Sequence, residues 1–218
     1  MRRAFDLSLY LVLDPVLCGG FDGMVATALA SVRAGAAVVQ LRAPGWKKRD
    51  LVNCARALKK TIAPFSVPLT IDDDADVCLA ADADGLHVGQ RDLEIHDARA
   101  IIGPDRILGL SVSNLEELAG VDAAVTDYLG VGPIFATSTK PDAAPAMGYD
   151  GLATVTSATS LPTVAIGGIK EAHAADIIRT GADGMAVVSA ICGQADPAAA
   201  TAKLKTLVDA ALSERNAR

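Results

Sequence analysis

Thr137, Thr139 and Lys140 place two hydroxyls and an ammonium within four residues, inside Gly132-Pro133-Ile134-Phe135-Ala136-Thr137-Ser138-Thr139-Lys140. The apolar run Tyr128-Leu129-Gly130-Val131 leads into this stretch. Hydroxyls and free backbone N–H groups donate to a phosphate, and a lysine adds a point charge. A solvated loop has the same composition, so the reading needs support from elsewhere in the chain. Gln40 and Arg42 are two residues apart and so point to one face of a strand. An amide and a guanidinium converging there form a fork for an oxyanion. A surface pair is the competing reading, but a charge at the end of an apolar run favours a site.

Carboxylates follow in Asp72-Asp73-Asp74 and in Gly89-Gln90-Arg91-Asp92. Two carboxylates from adjacent strand ends can hold one Mg²⁺, a hard ion that keeps several waters and shares substrate phosphates. Any of the three successive aspartates can instead cap the following helix, and at least one is expected to do only that. Ser111, in Gly109-Leu110-Ser111, is either a binding hydroxyl or an ordinary loop serine. No neighbouring His/Asp spacing supports a nucleophile triad. His87, His96 and His173 form no metal-ligand pattern, and His87, inside a strand, reads as a satisfied core residue. Gly167-Gly168 and Val188-Ser189 end two late apolar runs. Glycines there let a phosphate approach the backbone, or they only make a tight turn.

Eight strand-like runs can position these groups: 7–13, 37–41, 68–71, 85–88, 107–110, 128–131, 163–166 and 184–188. Helical spacing lies between them. Leu51, Cys54, Ala55 and Leu58 share one face, as do Leu204, Leu207, Val208 and Ala211. Strands alternating with helices imply parallel pairing with right-handed crossovers. Eight such units predict a single-domain α/β fold, a (β/α)8 TIM barrel over residues 1–218, with its active face at the C-terminal strand ends. In such barrels the loops after strands seven and eight form the usual phosphate site. A doubly wound nucleotide-binding sheet is the competitor, but Gly19-Gly20 lacks the rest of a GxGxxG fingerprint. Ala83-Asp84-Gly85 and Ala182-Asp183-Gly184 echo each other, which predicts a repeated turn where Gly bends the chain into a strand.

The 218 residues suffice for one large domain, and no linker or low-complexity tract divides them. Hydrophobic residues make up 51% but aromatics only 4%, so aliphatic side chains must fill the interior. A formal net charge of -6 argues against nucleic-acid or anionic-membrane partners. An anionic substrate then needs a locally positive site or a metal. Cys18, Cys54, Cys78 and Cys192 contain no CxxC pair and are expected to be free thiols in a reducing cytoplasm. Arg2-Arg3 before 7–13 faintly mimics a leader, but Asp6 and Asp14 bracket a run of only seven residues that reads as a first strand. No apolar run approaches the roughly 20 residues of a membrane span.

Taken together, the chain resembles the thiamine phosphate synthase family from about Leu9 to Ile191. The 132–140 stretch is the most specific element. Ala83-Asp-Gly-Leu-His-Val-Gly-Gln-Arg-Asp92, Val164-Ala-Ile-Gly-Gly-Ile169 and Ala182-Asp-Gly-Met-Ala-Val-Val-Ser-Ala-Ile191 complete the set. The resemblance implies a transferase that joins hydroxymethylpyrimidine diphosphate to thiazole phosphate and releases diphosphate. It implies Mg²⁺ held by Asp73 and Asp92. Gln40, Arg42, Ser111 and Lys140 would hold the pyrimidine diphosphate, with Arg42, Ser111 and Lys140 as the catalytic set and Asp72 beside them. Thr137, Thr139, Gly167, Gly168, Val188 and Ser189 would hold the thiazole phosphate. It also implies a cytoplasmic homodimer.

Two departures fall in the diphosphate half. After strand two the family reads Gln-x-Arg-x-Lys, and here the last position is Pro44, with neither charge nor N–H. After strand three it reads Asn-Asp-Arg, and here Asp72-Asp73-Asp74 turns a donor into an acceptor and a cation into an anion. Lys47 or Lys48 could reach back to replace the charge. Three functions follow: a synthase with a substituted clamp, a thiazole tautomerase-like paralogue, or a phosphate-ligand-binding barrel without turnover. The tautomerases' characteristic histidine after strand six has no counterpart between Gly132 and Lys140.

Overall fold

The computed structural model describes residues 5–137 and 144–217. Strands and helices alternate as β1 (Leu9–Leu13), α1 (Phe21–Arg33), β2 (Val38–Leu41), α2 (Lys48–Ile62), β3 (Leu69–Asp72), α3 (Ala75–Ala80), β4 (Gly85–Val88) and α4 (Ile95–Ile102). The order continues with β5 (Ile107–Val112), α5 (Leu115–Ala119), β6 (Tyr128–Val131), α6 (Gly148–Ser157), β7 (Thr163–Ala165), α7 (Ala174–Arg179), β8 (Gly184–Val187) and α8 (Pro197–Asn216). Each strand pairs in parallel with the next, and β1 pairs with β8 through Leu9↔Met185 and Leu11↔Val187. The result is the expected closed (β/α)8 barrel. Strand bounds shift by one or two residues from the sequence reading. Pro68 falls outside β3, for instance, because it has no N–H for the ladder; its carbonyl accepts from Val39 N at 3.1 Å.

Alternation along the strands sorts the side chains. Leu9, Leu11, Leu13, Val39, Leu41, Leu69, Ile71, Leu86, Val88, Leu108 and Leu110 pack outward among the helices. Tyr10, Val38, Ile107, Tyr128, Val164 and Ala186 pack in the barrel interior. Gln40, Thr70 and His87 share the inward-facing register, and all three are buried.

The helices cover the outer layer with the stripes read from their spacing. Leu51, Cys54, Ala55 and Leu58 of α2 are all buried. Each fully buried leucine contributes roughly 1.5–3 kcal/mol. In α8 the buried stripe is Thr201, Leu204, Val208 and Ala211, while Leu207 is 37% exposed. Steps of three and four residues from Thr201 keep a stripe in line, and Leu207 falls at its edge. Thr201 Oγ1 donates to Ser31 Oγ at 3.1 Å and ties α8 to α1. Asp196 caps α8 through Ala199 N, with Pro197 in its first turn.

The Ala-Asp-Gly echo has a different cause from the turn predicted. Neither Gly85 nor Gly184 has a positive φ. A Cβ at Gly85 would lie 2.6 Å from Ile107 O, and one at Gly184 would lie 1.9 Å from Leu7 O. Close strand approach excludes a side chain there. The aspartates act as latches on the preceding strand. Asp84 Oδ2 accepts from Leu69 N, and Asp183 Oδ2 from Thr163 N, both at 2.9 Å. Asp127 does the same for Leu108 N at 2.8 Å.

Candidate active site

Parallel closure carries the C-terminal ends of all the strands to one face, where a cavity of about 440 Å³ opens. Its wall includes Gln40, Arg42, Asp72, Ser111, Thr137, Gly167, Gly168, Val188 and Ser189, residues singled out from the sequence. Thr139 and Lys140 lie outside the described residues. Asp73 and Asp92 do not line the cavity itself; they flank it at the ends of β3 and β4.

On the β2–β5 side the groups are held by one another. Gln40, 5% exposed, donates from Nε2 to Tyr10 OH at 3.0 Å. Arg42 Nε meets Asp72 Oδ2 at 3.1 Å, with both side chains 18% exposed. Asp72 is therefore an ion-pair partner of Arg42, a contact that residue type and position along the chain do not show. Asp73 takes a positive φ of 59°, and its N–H donates to His87 O at 2.9 Å. That conformation is uncommon for a side-chain-bearing residue, and aspartate is among those that tolerate it. Asp92 Oδ2 accepts from Gly89 N at 3.0 Å.

Asp74 occupies the N-cap position of α3, but its side chain makes no cap hydrogen bond. Its carboxylate pairs with Lys48, whose ammonium also reaches Asp76 at 3.0 Å. Lys48 is thus committed to the start of α3, and neither Lys47 nor Lys48 lines the cavity in place of the missing cation at Pro44.

Two carboxylates just beyond adjacent strand ends, Asp73 tied to β4 through His87 O and Asp92 to Gly89 immediately after it, are a donor set that suits a hard dication. No group of three or more His, Cys, Asp or Glu side chains that could hold a metal occurs among the described residues. Magnesium bound by one or two carboxylates completes its octahedron with waters and substrate phosphate oxygens, so Asp73 and Asp92 fit such an ion.

On the β6–β8 side the wall is mostly backbone. Gly167 and Gly168 have φ of 88° and 67°, in the region that favours glycine. A Cβ at Gly168 would stand 2.7 Å from Ala136 O and 2.8 Å from Phe135 Cβ. The pair is therefore demanded by the β6 loop packing on the β7 loop as well as by a turn. Phe135 N donates to Gly167 O at 3.2 Å and locks the two loops together. Ser189 Oγ accepts from Lys170 Nζ at 2.6 Å, and Ser189 O accepts from Gln194 Nε2 at 2.8 Å.

Several residues of the site escaped the sequence reading. Lys170 directly follows the quoted Gly-Gly-Ile motif; it does not line the cavity but reaches it through Ser189 Oγ, a contact between two loops that spacing does not show. Arg91 lines the mouth from within a stretch quoted for Asp92. His87 is buried and hydrogen-bonded as expected, but it is more than filler: its Nε2 lies 2.9 Å from Ser111 Oγ and its Nδ1 lies 2.8 Å from Tyr128 OH. Tyr10 lines the cavity floor and Tyr128 lies behind it, and burial pushes both phenols up, Tyr10 to about 12. Both keep their protons near neutral pH.

A family model described as thiamine monophosphate synthase matches residues 9–191. A thiamine-phosphate synthase of Laribacter hongkongensis is 52% identical over 207 residues, covering 95% of this chain and 98% of the relative. One from Xanthobacter autotrophicus is 53% identical over 211 residues, covering 97% of this chain and 100% of the relative. The solved thiamine phosphate pyrophosphorylase of Pyrococcus furiosus superposes with a TM-score of 0.86 at 33% identity, covering 94% of this chain and 97% of that one. The chain belongs to the thiamine monophosphate synthase family.

Proposed function

We propose that this family member is a working thiamine phosphate synthase, a transferase that joins hydroxymethylpyrimidine diphosphate to thiazole phosphate and releases diphosphate. The observation that carries the reading is the composition of the cavity at the C-terminal strand ends. A polar half (Gln40, Arg42, Ser111) faces a glycine-backbone half (Gly167, Gly168, Val188, Ser189) across it. Two anionic substrates need two such anchoring regions around one reacting centre.

In this reading the methylene C–O bond breaks and its electron pair leaves with the diphosphate. The cationic pyrimidinylmethyl carbon then takes the lone pair of the thiazole nitrogen, forming the C–N bond. Arg42 stabilises the negative charge that grows on the leaving oxygen, as preorganised charges do best. Ser111 donates a hydrogen bond on the same side. Gly167 and Gly168 expose backbone to the thiazole phosphate, and Ser189 with Lys170 fixes its far end. Asp73 and Asp92 would hold Mg²⁺, which supplies Lewis-acid neutralisation of the diphosphate when bound. Thr139 and Lys140 belong to the same proposal through the resemblance alone.

The cytoplasm as location and a homodimer as assembly state extend this reading. No helix among the described residues is long and apolar enough to cross a membrane.

The test is product formation from the two substrates, followed by mass spectrometry, with Mg²⁺ and with chelator. Thiamine phosphate that appears only with metal is expected. Thiazole-phosphate binding with no product under either condition would overturn the assignment in favour of a non-catalytic barrel.

A further inference from the structure

At the floor of the cavity, side chains from six strands make one continuous hydrogen-bonded chain, of which Tyr10, Gln40, His87 and Ser111 line the cavity and Thr70 and Tyr128 do not. Gln40 Nε2 donates to Tyr10 OH at 3.0 Å, and Tyr10 OH lies 2.9 Å from Tyr128 OH and 2.7 Å from Thr70 Oγ1. Tyr128 OH lies 2.8 Å from His87 Nδ1, and His87 Nε2 lies 2.9 Å from Ser111 Oγ. The ends of the chain, Gln40 and Ser111, are both in the pyrimidine half of the site. The links between them have no assigned role.

Each phenol and each hydroxyl has one proton, and a neutral imidazole has one N–H. Two proton arrangements therefore satisfy the chain. In the first, Ser111 donates to His87 Nε2, His87 Nδ1–H to Tyr128, Tyr128 to Tyr10, and Tyr10 to Thr70. Thr70 must then donate to Val39 O at 3.5 Å, the long limit of a hydrogen bond. In the second, Thr70 donates to Tyr10, Tyr10 to Tyr128, Tyr128 to His87 Nδ1, and His87 Nε2–H to Ser111. All its bonds are 3.0 Å or shorter, and the proton of Ser111 remains available to the cavity. The second arrangement is favoured, since it makes no use of the weak terminal bond and the shorter chain polarises cooperatively.

Glycines make room for this chain. A Cβ at Gly109 would lie 2.2 Å from Tyr128 Cζ and 2.5 Å from His87 Nδ1, and one at Gly130 would lie 2.9 Å from His87 Cε1. Strands β5 and β6 are thus cut back where the imidazole enters.

We propose that His87 is a positioning residue: Tyr128, backed by Tyr10, fixes it as the Nε2–H tautomer, and His87 in turn turns Ser111 into a hydrogen-bond donor toward a phosphate oxygen of the diphosphate substrate. This rests on the synthase reading for the identity of the ligand, but not for the tautomer.

The first arm therefore needs no activity. In a His96→Gln/His173→Gln protein, His87 is the single imidazole, and its ¹⁵N shifts report the tautomer directly. The Nε2–H form is expected, lost or mixed in Tyr128→Phe. A predominant Nδ1–H form would overturn the proposal whether or not the chain is a synthase. The second arm is steady-state kinetics. His87→Leu should lower kcat/KM for the pyrimidine diphosphate about three- to tenfold, the size of one hydrogen bond, with KM for thiazole phosphate unchanged. His87→Gln, which keeps an N–H toward Ser111, should recover part of the loss. In a Ser111→Ala background His87→Leu should cost nothing further. Full additivity of the two substitutions, or equal damage to both substrates, would leave His87 a packing residue only.

Discussion

Arg42 and Asp72, 3.1 Å apart at the cavity wall, set how much positive charge the diphosphate half offers. The carboxylate partly neutralises the guanidinium and itself repels the ligand. Its isosteric amide removes both effects and restores the donor that the family resemblance places there. Asp72→Asn is therefore expected to lower KM for the pyrimidine diphosphate several-fold, on the order of 1 kcal/mol at partly exposed charges. A rise in KM would mean that the pair holds Arg42 in its working position. On the opposite wall, Lys170→Met removes the ammonium that Ser189 accepts from at 2.6 Å. A charge-assisted contact of about 1.5 kcal/mol predicts roughly tenfold weaker thiazole-phosphate binding by calorimetry. The dephosphorylated thiazole alcohol serves as the control, and equal loss for both would dissociate Lys170 from the phosphate.

At the scale of elements, the aspartate latches decide how the strands enter the barrel. Asp127 not only holds Leu108 N but pairs with Arg99 at 2.7 Å, with side chains 9% and 10% exposed. Arg99 also donates to the carbonyls of Gly103, Arg106 and Val125, so one guanidinium gathers several loop segments. Removing one partner leaves the other buried charge uncompensated, which costs about 3–5 kcal/mol. Asp183, 42% exposed and 3.3 Å from Arg215, has water as an alternative partner. Asp127→Ala should thus lower the denaturation midpoint far more than Asp183→Ala. Similar losses would show that the backbone latch, common to both, matters more than the ion pair. These roles were invisible in the Ala-Asp-Gly echo because a repeated phrase shows recurrence without its cause. The amphipathic stripe of α2 was legible for the opposite reason: its periodicity is the packing.

At the scale of the whole molecule, closure buries the thiols to different degrees. Cys54, Cys78 and Cys192 are buried and Cys18 is half-buried, all of them free. Burial pushes Cys54 up to about 12 and Cys78 to about 11. A hydrogen bond from Cys192 holds Cys18 below the ordinary thiol range and raises Cys192 itself. The thiolate is the reactive form, so reactivity grows as pH rises through each thiol's own pKa. Native protein at about pH 7.5 should therefore expose one rapidly labelled thiol, Cys18, while Cys54 and Cys78 stay silent until unfolding. Rapid labelling of Cys54 or Cys78 in native protein would mean that α2 or α3 opens readily.

The sequence by itself determined the eightfold alternation, the buried faces of the helices and part of the cavity wall, including Gln40, Arg42, Ser111 and the glycine pair. These follow from local rules, namely period-two and 3.6-residue spacing and the position of a residue at a strand end. It also exposed Pro44 and Asp72 as departures, because residue type is read one position at a time. Tertiary structure alone decided partnership. Asp72 pairs with a side chain 30 positions earlier, and Tyr10 meets Tyr128 across 118 positions of chain, because closure brings β1 and β6 together across the barrel interior. His87 could be placed inside a strand from its neighbours, but the group that its second nitrogen faces depends on the register between β4 and β5. In a closed barrel, register is tied to the tilt and stagger of all the strands together, which no single segment carries.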